Sequence, residues 1–236
     1  MSNGWALVTG GAKRLGKSIA LELAQAGYDL VIHYNTSSAA ALATVGEIEA
    51  LGRQAWAIPA DLRDVAAIDS LFATIAERCG SLAVLVNSAA DFPRTPVGEV
   101  TVEQWDSLMA LNARAPFFCA QHAAKLMSSG GVIVNLADVG GVLAWPSYVP
   151  YGMSKAAILM LTRGLAVALA PKIRVGGVAP GAALLPDDWD GGAPTARVPL
   201  KRVGTAEDIA RAVRFIVESP YLTGETIFVD GGRRWG

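Results

Sequence analysis

Short runs of Val, Leu and Ile alternate along the chain with longer stretches whose apolar residues return every three or four positions. That alternation is the mark of βα units around a buried parallel sheet. Seven runs read as strands: Trp5 to Thr9, Asp29 to Tyr34, Gln54 to Ala60, Leu82 to Asn87, Val132 to Leu136, Ile173 to Val178 and Thr226 to Val229. Six helical patterns fall between them, at Leu15 to Ala26, Ser38 to Leu51, Val65 to Arg78, Val102 to Met127, Tyr151 to Ala170 and Ala206 to Val217. Right-handed crossovers between such units give an α/β fold, a Rossmann-type doubly wound sheet of seven parallel strands with helices on both faces. Residues 1–236 are read as a single domain. The Pro, Gly and Asp content of Pro180 to Pro199 marks a loop, and a substrate loop is placed at about 182–199.

With 52% hydrophobic residues the chain can bury a core without metal or disulfides. A formal net charge of −1 removes the case for a nucleic-acid or anionic-membrane surface. No basic leader opens the chain and no uninterrupted apolar run reaches about 18 residues, so a cytoplasmic protein with no membrane association is expected. Cys79 and Cys119 sit in apolar helical patterns and are read as free thiols.

The chemistry begins at the first βα turn, Thr9-Gly10-Gly11-Ala12-Lys13-Arg14-Leu15-Gly16, which follows a strand and opens a helix. Glycines at 10 and 16 let the backbone approach a pyrophosphate, and free N–H groups at the helix start favour negative charge, so a dinucleotide is the expected ligand. The second strand ends without the carboxylate that would face a ribose hydroxyl. His33, Tyr34, Asn35, Thr36, Ser37 and Ser38 offer donors instead, with Lys13 and Arg14 close by, so NADPH/NADP+ is the expected cofactor. The same Ser and Thr residues also suit the cap of the next helix.

Further on, Tyr151-Gly152-Met153-Ser154-Lys155 places a phenol and an ammonium one helical turn apart on one face. A lysine beside a tyrosine is expected to favour the phenolate and ease proton transfer at neutral pH. Asp138 lies upstream, at the predicted mouth of the sheet, where a carboxyl can carry a proton of its own when burial raises its pKa. Helix capping is the other use of an aspartate there.

These residues resemble the short-chain dehydrogenase/reductase family, whose Tyr-x-x-x-Lys pair is usually preceded by a serine at the position of Asp138. An aspartate there looks like the pteridine reductase and dihydromonapterin reductase branch, in which hydride falls on a ring C=N. The family's Thr-Gly-x-x-x-Gly-x-Gly has its middle glycine replaced by Arg14, and the pteridine branch resembles the chain here too, with an arginine between cofactor phosphate and substrate. The resemblance implies that Asp61 and Leu62 meet the adenine, although Asp61 also suits an N-cap. It implies that Asn87, Ser88 and Ala89, in a run Asn87-Ser88-Ala89-Ala90 that resembles Asn-Asn-Ala-Gly with Ser88 and Ala90 as departures, let the cofactor ribose pass. Phe92 would stack on the substrate ring or anchor a loop. Asn112, in Asn-Ala-x-Ala-Pro, would hold a relay water within a helix distorted by Asn112 and Pro116. Pro180, Gly181 and Ala183 would meet the carboxamide through their backbone, and Lys155 would hold the nicotinamide ribose.

On this reading Asp138, Tyr151, Lys155 and Asn112 are catalytic, and Arg14, Phe92, Asp138, Tyr151 and Leu184 bind substrate. The expected activity is NADPH-dependent reduction of a C=N bond in a pterin or dihydropterin, with dihydrofolate as a further acceptor, in folate metabolism. A carbonyl reductase of the 3-oxoacyl or sugar type is the alternative, and an NADP(H)-binding regulatory protein with a degenerate site is an alternative of another class. Neither the aspartates at 187, 188 and 190 nor Cys119 with His122 have the partners a metal needs, so no metal is expected. The expected partners are a small pterin-like molecule and copies of the chain itself. Small and apolar residues cover nearly every face of Ala156 to Leu169, which points to a symmetric homo-oligomer, and the resemblance implies a homotetramer. Arg233-Arg234-Trp235 is expected to reach a neighbouring subunit's site.

Overall fold

The computed structural model describes residues 3–183 and 195–236. Its seven strands, β1 (Trp5–Val8), β2 (Asp29–Tyr34), β3 (Ala55–Pro59), β4 (Val84–Asn87), β5 (Gly131–Leu136), β6 (Ile173–Pro180) and β7 (Thr226–Val229), form one sheet in the order β3-β2-β1-β4-β5-β6-β7. Every pairing is parallel. The order reverses between β1 and β4, which opens a crevice at the carboxyl ends of those strands.

Alternation along each strand divides the core between the two faces of the sheet. Ala6, Val8, Leu30, Ile32, Val84 and Val86 face helices α1 (Arg14–Gln25) and α7 (Ala206–Glu218), meeting Ile19, Leu23, Ile209 and Val213. Leu7, Val31, Leu85, Ile133 and Val175 point the other way, toward Ile68 and Leu71 of α3 (Val65–Cys79) and Cys119, Ala123 and Met127 of the following helical segment. Helix α2 (Ser38–Ala50) packs beside β2 and β3. Both cysteines are free; burial pushes the Cys119 thiol up to about 12, while Cys79 is only partly buried.

Several elements differ from the sequence expectation. The helix read as Val102 to Met127 is broken into α4 (Val102–Met109), a π-helical turn (Ala110–Arg114) and α5 (Ala115–Leu126). The predicted distortion at Asn112 and Pro116 takes that form. Helix α6 (Val149–Leu169) starts two residues earlier than expected, with Pro150 in its first turn, where a missing N–H costs nothing. A 3₁₀ turn at Val139–Gly141 and another at Arg233–Trp235 had no signal in the periodicity. By length and composition alone α6 is apolar enough to cross a membrane. Its sheet-facing side carries Tyr151, Ser154, Lys155, Ile158, Thr162 and Ala166, whereas Met153, Met160 and Val167 are exposed.

A buried polar chain ties the sheet to α6. Asn87 donates to the Asn135 side chain at 2.9 Å, Asn135 donates to Thr162 at 3.1 Å, and Thr162 donates to the Ile158 carbonyl at 2.9 Å. Asn135 and Thr162 are fully buried, so each of these bonds satisfies groups that would otherwise cost about 1–3 kcal/mol.

Candidate active site

The glycine-rich turn is braced from three strands. Thr9 Oγ1 accepts the N–H groups of Ser88 and Ala89 at 2.9 and 3.1 Å, joining the end of β1 to the end of β4. The Gly10 N–H donates to His33 Nδ1 at 3.1 Å, and His33 Nε2 lies 3.0 Å from the Ala60 carbonyl. Both ring nitrogens of His33 are thus engaged inside the protein, and burial lowers its pKa to about 4, so it is a neutral brace and not the cofactor contact expected from sequence. The physical reason is strand alternation, which turns position 33 to the same inner face as Val31.

The turn fits a dinucleotide. A methyl at Gly16 would lie 2.2 Å from the Gly10 carbonyl oxygen, and one at Gly10 would lie 3.0 Å from Ala89 Cα, so the backbone approaches as closely as only glycine allows. Helix α1 has no side-chain cap and no acidic residue in its first turn. Its N–H groups therefore face an anion with the positive end of the helix dipole. Lys13 and Arg14 are exposed beside it, as are Asn35 and Thr36, with Tyr34 and Ser37 partly exposed. Ser37 makes no side-chain cap for α2, which leaves its hydroxyl available to a phosphate.

Arg14 holds φ 51°, the left-handed conformation in which the family pattern has glycine. A non-glycine residue there costs roughly 1–2 kcal/mol. Arg14→Gly is accordingly expected to raise stability by up to about 1 kcal/mol while raising KM for NADPH, since the strain is relieved and a cation removed. Thermal midpoints and KM measured together check this; a lower midpoint would refute the strain argument.

The remaining cofactor residues divide by exposure. Asp61 is exposed and binds Arg63 through its carboxylate, while the N-cap of α3 is Asp64, which accepts from Ala66. Asp61 is therefore not the N-cap of α3, although its carboxylate accepts the Arg63 N–H at 3.0 Å. Leu62 is buried beneath it. Asn87 is turned inward into the polar chain, and Ser88 and Ala89 line the crevice by their backbone. After Pro180 at the end of β6, the N–H groups of Gly181 and Ala183 are bonded to the carbonyls of Val229 and Gly181. Leu184 lies outside the described residues, as does most of the expected substrate loop.

The proton-transfer residues come together at the end of β5. Asp138 accepts a 2.6 Å bond from the Gly140 N–H, the capping contact of the 3₁₀ turn, and another from the Tyr151 hydroxyl. Burial raises the Asp138 pKa, against the opposing pull of the Gly140 bond, Lys155, Tyr151 and Arg233. Tyr151 is pushed well above the usual phenol range by burial and by Asp138. This reverses the expected phenolate. Lys155, whose Nζ donates to the Leu136 carbonyl at 2.9 Å, stands 5.7 Å from the Tyr151 ring centre and does not outweigh a buried carboxyl bonded to the phenol. Burial in turn lowers Lys155 to about 8.

Asn112 clamps the backbone of Asp91 from the π-helical turn, accepting its N–H and donating to its carbonyl, both at 2.9 Å. It also donates to Ser154 Oγ at 3.3 Å, and Ser154 donates to the Tyr151 carbonyl at 2.7 Å. The clamp fixes the residue before Phe92. A parallel bridge between Thr95 and Tyr148 then joins the loop after β4 to the loop before α6.

That bridge assembles a ring cluster the sequence reading missed. Phe92 stacks on Tyr148 (4.4 Å, 5°), meets Tyr151 edge-on (4.5 Å, 72°), and Trp145 lies parallel to Tyr151 at 6.3 Å. Trp145-Pro146-Ser147-Tyr148 just ahead of the Tyr151 helix was the available signal, in a chain only 7% aromatic. The tail also differs from expectation: Arg233 lies over Trp145 of its own chain, 5.7 Å from the ring centre. Among the described residues no group of three or more His, Cys, Asp and Glu could hold a metal.

With this geometry in place, the chain matches a family model described as enoyl-(acyl carrier protein) reductase over residues 10–234. It is 34% identical to the 3-oxoacyl-[acyl-carrier-protein] reductase of Synechocystis sp., covering 96% of this chain and 95% of that one. Among solved structures, a blue fluorescent protein from a metagenomic library in complex with NADPH superimposes with a TM-score of 0.94 at 36% identity, covering 98% of each chain. The landomycin C-6 ketoreductase with bound NADP and rabelomycin superimposes with a TM-score of 0.91 at 33% identity, covering 100% of this chain and 98% of that one.

Proposed function

The chain belongs to the short-chain dehydrogenase/reductase family, and from that premise we propose that it is an NADPH-dependent reductase of the C=N bond of a pterin or dihydropterin. The observation that carries the substrate assignment is the buried carboxyl of Asp138 hydrogen-bonded to Tyr151, where the family usually has a hydroxyl. A serine can polarise a ketone by donating one hydrogen bond. A carboxyl whose pKa is raised can also hand over a proton, which a ring nitrogen needs once its neighbouring carbon has been reduced.

Residues Gly10 to Gly16 would hold the pyrophosphate, Lys13, Arg14 and the donors after β2 the 2′-phosphate, and Lys155 the nicotinamide ribose. Bound NADPH supplies the hydride. Phe92, Trp145 and Tyr148, packed against one another beside Tyr151, would offer a flat ring an aromatic wall. Asp138 and Tyr151 share the proton that the acceptor receives, Lys155 keeps positive charge near the phenol, and Asn112 holds Asp91 and Phe92 in register with Tyr151.

A second reading, reduction of a ketone in the manner of a 3-oxoacyl or polyketide reductase, is favoured by the names of the relatives, 3-oxoacyl-[acyl-carrier-protein] reductase and landomycin C-6 ketoreductase. Loss of NADPH absorbance, followed in parallel with dihydrobiopterin, dihydromonapterin, dihydrofolate, a 3-oxoacyl thioester and a diketone, separates the two. Pterin turnover with silent ketones is the expected result, and turnover of ketones alone would overturn the pterin assignment. The outward face of α6, with Met153, Met160 and Val167, is proposed to close a homotetramer. Light scattering should return four times the 24.6 kDa chain mass, and a monomer would reject the assembly.

A further inference from the structure

The C-terminal turn takes no part in the proton transfer above, yet it carries Arg233 over Trp145 and within electrostatic range of Asp138. Asp230 builds it: its carboxylate accepts the N–H of Gly232 at 2.9 Å and of Arg234 at 3.1 Å, and its carbonyl accepts the N–H of Arg233 at 3.1 Å. Gly231 and Gly232 both hold positive φ, and a methyl on Gly232 would meet Pro199 at 2.9 Å, so the turn is seated tightly on the last residue of the expected substrate loop. The two arginines that follow have different surroundings. Arg234 lies over Phe228 at 3.9 Å and approaches Asp230 at 4.0 Å, which makes it the anchor of the tail. Arg233 forms no ion pair among the described residues and is held over the face of Trp145.

We propose that Arg233 is a substrate-positioning residue, presenting its guanidinium beside Trp145 to a negatively polarised oxygen on the edge of a planar acceptor. This rests on the reading of the aromatic wall as a site for flat rings. A guanidinium offers two parallel N–H groups to an oxygen edge while lying against an aromatic face, a combination that a lysine reproduces only as a point charge. The Asp138 carboxyl then feels two cations, Lys155 on the cofactor side and Arg233 over Trp145. A ring whose oxygen bears partial negative charge complements that balance, whereas one bearing amino groups in the same place does not.

The test is equilibrium binding to the full chain loaded with NADP+, followed by fluorescence or calorimetry, for wild type, Arg233→Gln and Arg233→Lys. Three planar probes are compared: pterin, 2,4-diaminopteridine, which has the same shape without the ring oxygen, and phenanthrenequinone. Arg233→Gln is expected to weaken the two oxygen-bearing probes at least tenfold and the diamino ring less than twofold, and Arg233→Lys to recover part of the loss. A thermal midpoint within a degree or two of wild type checks that the tail remains seated. Equal losses for all three probes, a loss below twofold for the oxygen-bearing ones, or no planar probe bound by wild type would overturn the proposal. Quinone binding that depends on Arg233, with no pterin binding in any form, would sustain Arg233's role and remove the pterin assignment.

Discussion

Serine in place of Asp138 is expected to lower kcat/KM for C=N reduction by about 10²–10⁴-fold while leaving KM for NADPH unchanged. The size follows from what is removed. A hydroxyl can still donate one hydrogen bond, but it cannot deliver a proton near neutral pH, so the nitrogen left after hydride addition has lost its acid. Binding of NADPH involves other residues, and the short serine side chain can keep the Gly140 N–H occupied at the head of the 3₁₀ turn. Reduction of a small ketone by the same variant should be retained or raised, because serine restores the donor that ketone chemistry uses. Pterin rates within threefold of wild type would remove Asp138 from the mechanism.

The second large effect is on pH. Measured as kcat/KM for NADPH, which reports the free enzyme, activity is expected to be level in acid and to fall as pH rises, with no compensating rise. Asp138 has a raised pKa and acts as a proton donor, so its contribution is present below that pKa and lost above it. Lys155, lowered to about 8, acts as the ammonium, so it too is lost on the alkaline side. Tyr151 stays protonated throughout, its pKa lying well above the usual phenol value. Activity should therefore drop about tenfold per pH unit past the first break and more steeply past the second. In Asp138→Ser the break due to Asp138 should vanish and the one due to Lys155 remain, moved to lower pH because the carboxyl that raises the Lys155 pKa is gone. A bell-shaped wild-type profile, or a variant that keeps both breaks, would contradict these assignments.

Much of this was legible in the chain because buried parallel strands and their crossover helices write strong periods. The seven strands and the doubly wound order were accessible from runs such as Val84–Asn87 and from the helical spacing between them. Tyr151 and Lys155 stand out by type and spacing, Asp138 and Asn112 gain their roles from the resemblance, and the fold brings all four to one end of the sheet. What could not be read is the set of interactions that depends on which way a side chain turns. His33 carries donors like its neighbours, yet its place in the alternation of β2 sends it inward to Gly10 and Ala60. The phenol of Tyr151 was expected to be acidic from its lysine neighbour alone, whereas its proton is governed by burial and by Asp138, thirteen residues away. Trp145 and Tyr148 lie in a loop with no period, and it is the Thr95 bridge that makes them part of the ring cluster. Arg233 is separated from Trp145 by most of the second half of the chain, and only the Asp230 turn brings them together.

The π-helical turn at Ala110–Arg114 has a consequence for how this chain can change in length. A turn of this kind holds one residue more than an α-turn, and one residue of α-helix corresponds to about 100° of rotation. Deleting any single position from 110 to 114 would let α4 and α5 fuse into one regular helix, swinging α4 by about 100° about its axis. Ser107 would leave Arg63, to which it is bonded at 2.9 Å, and Asn112 would release the Asp91 backbone that fixes Phe92. The extra residue is thus a register lock between the two halves of the site: insertions and deletions elsewhere on the surface can be absorbed by loops, but one here would rewind the helix that times the ring cluster to the proton donors.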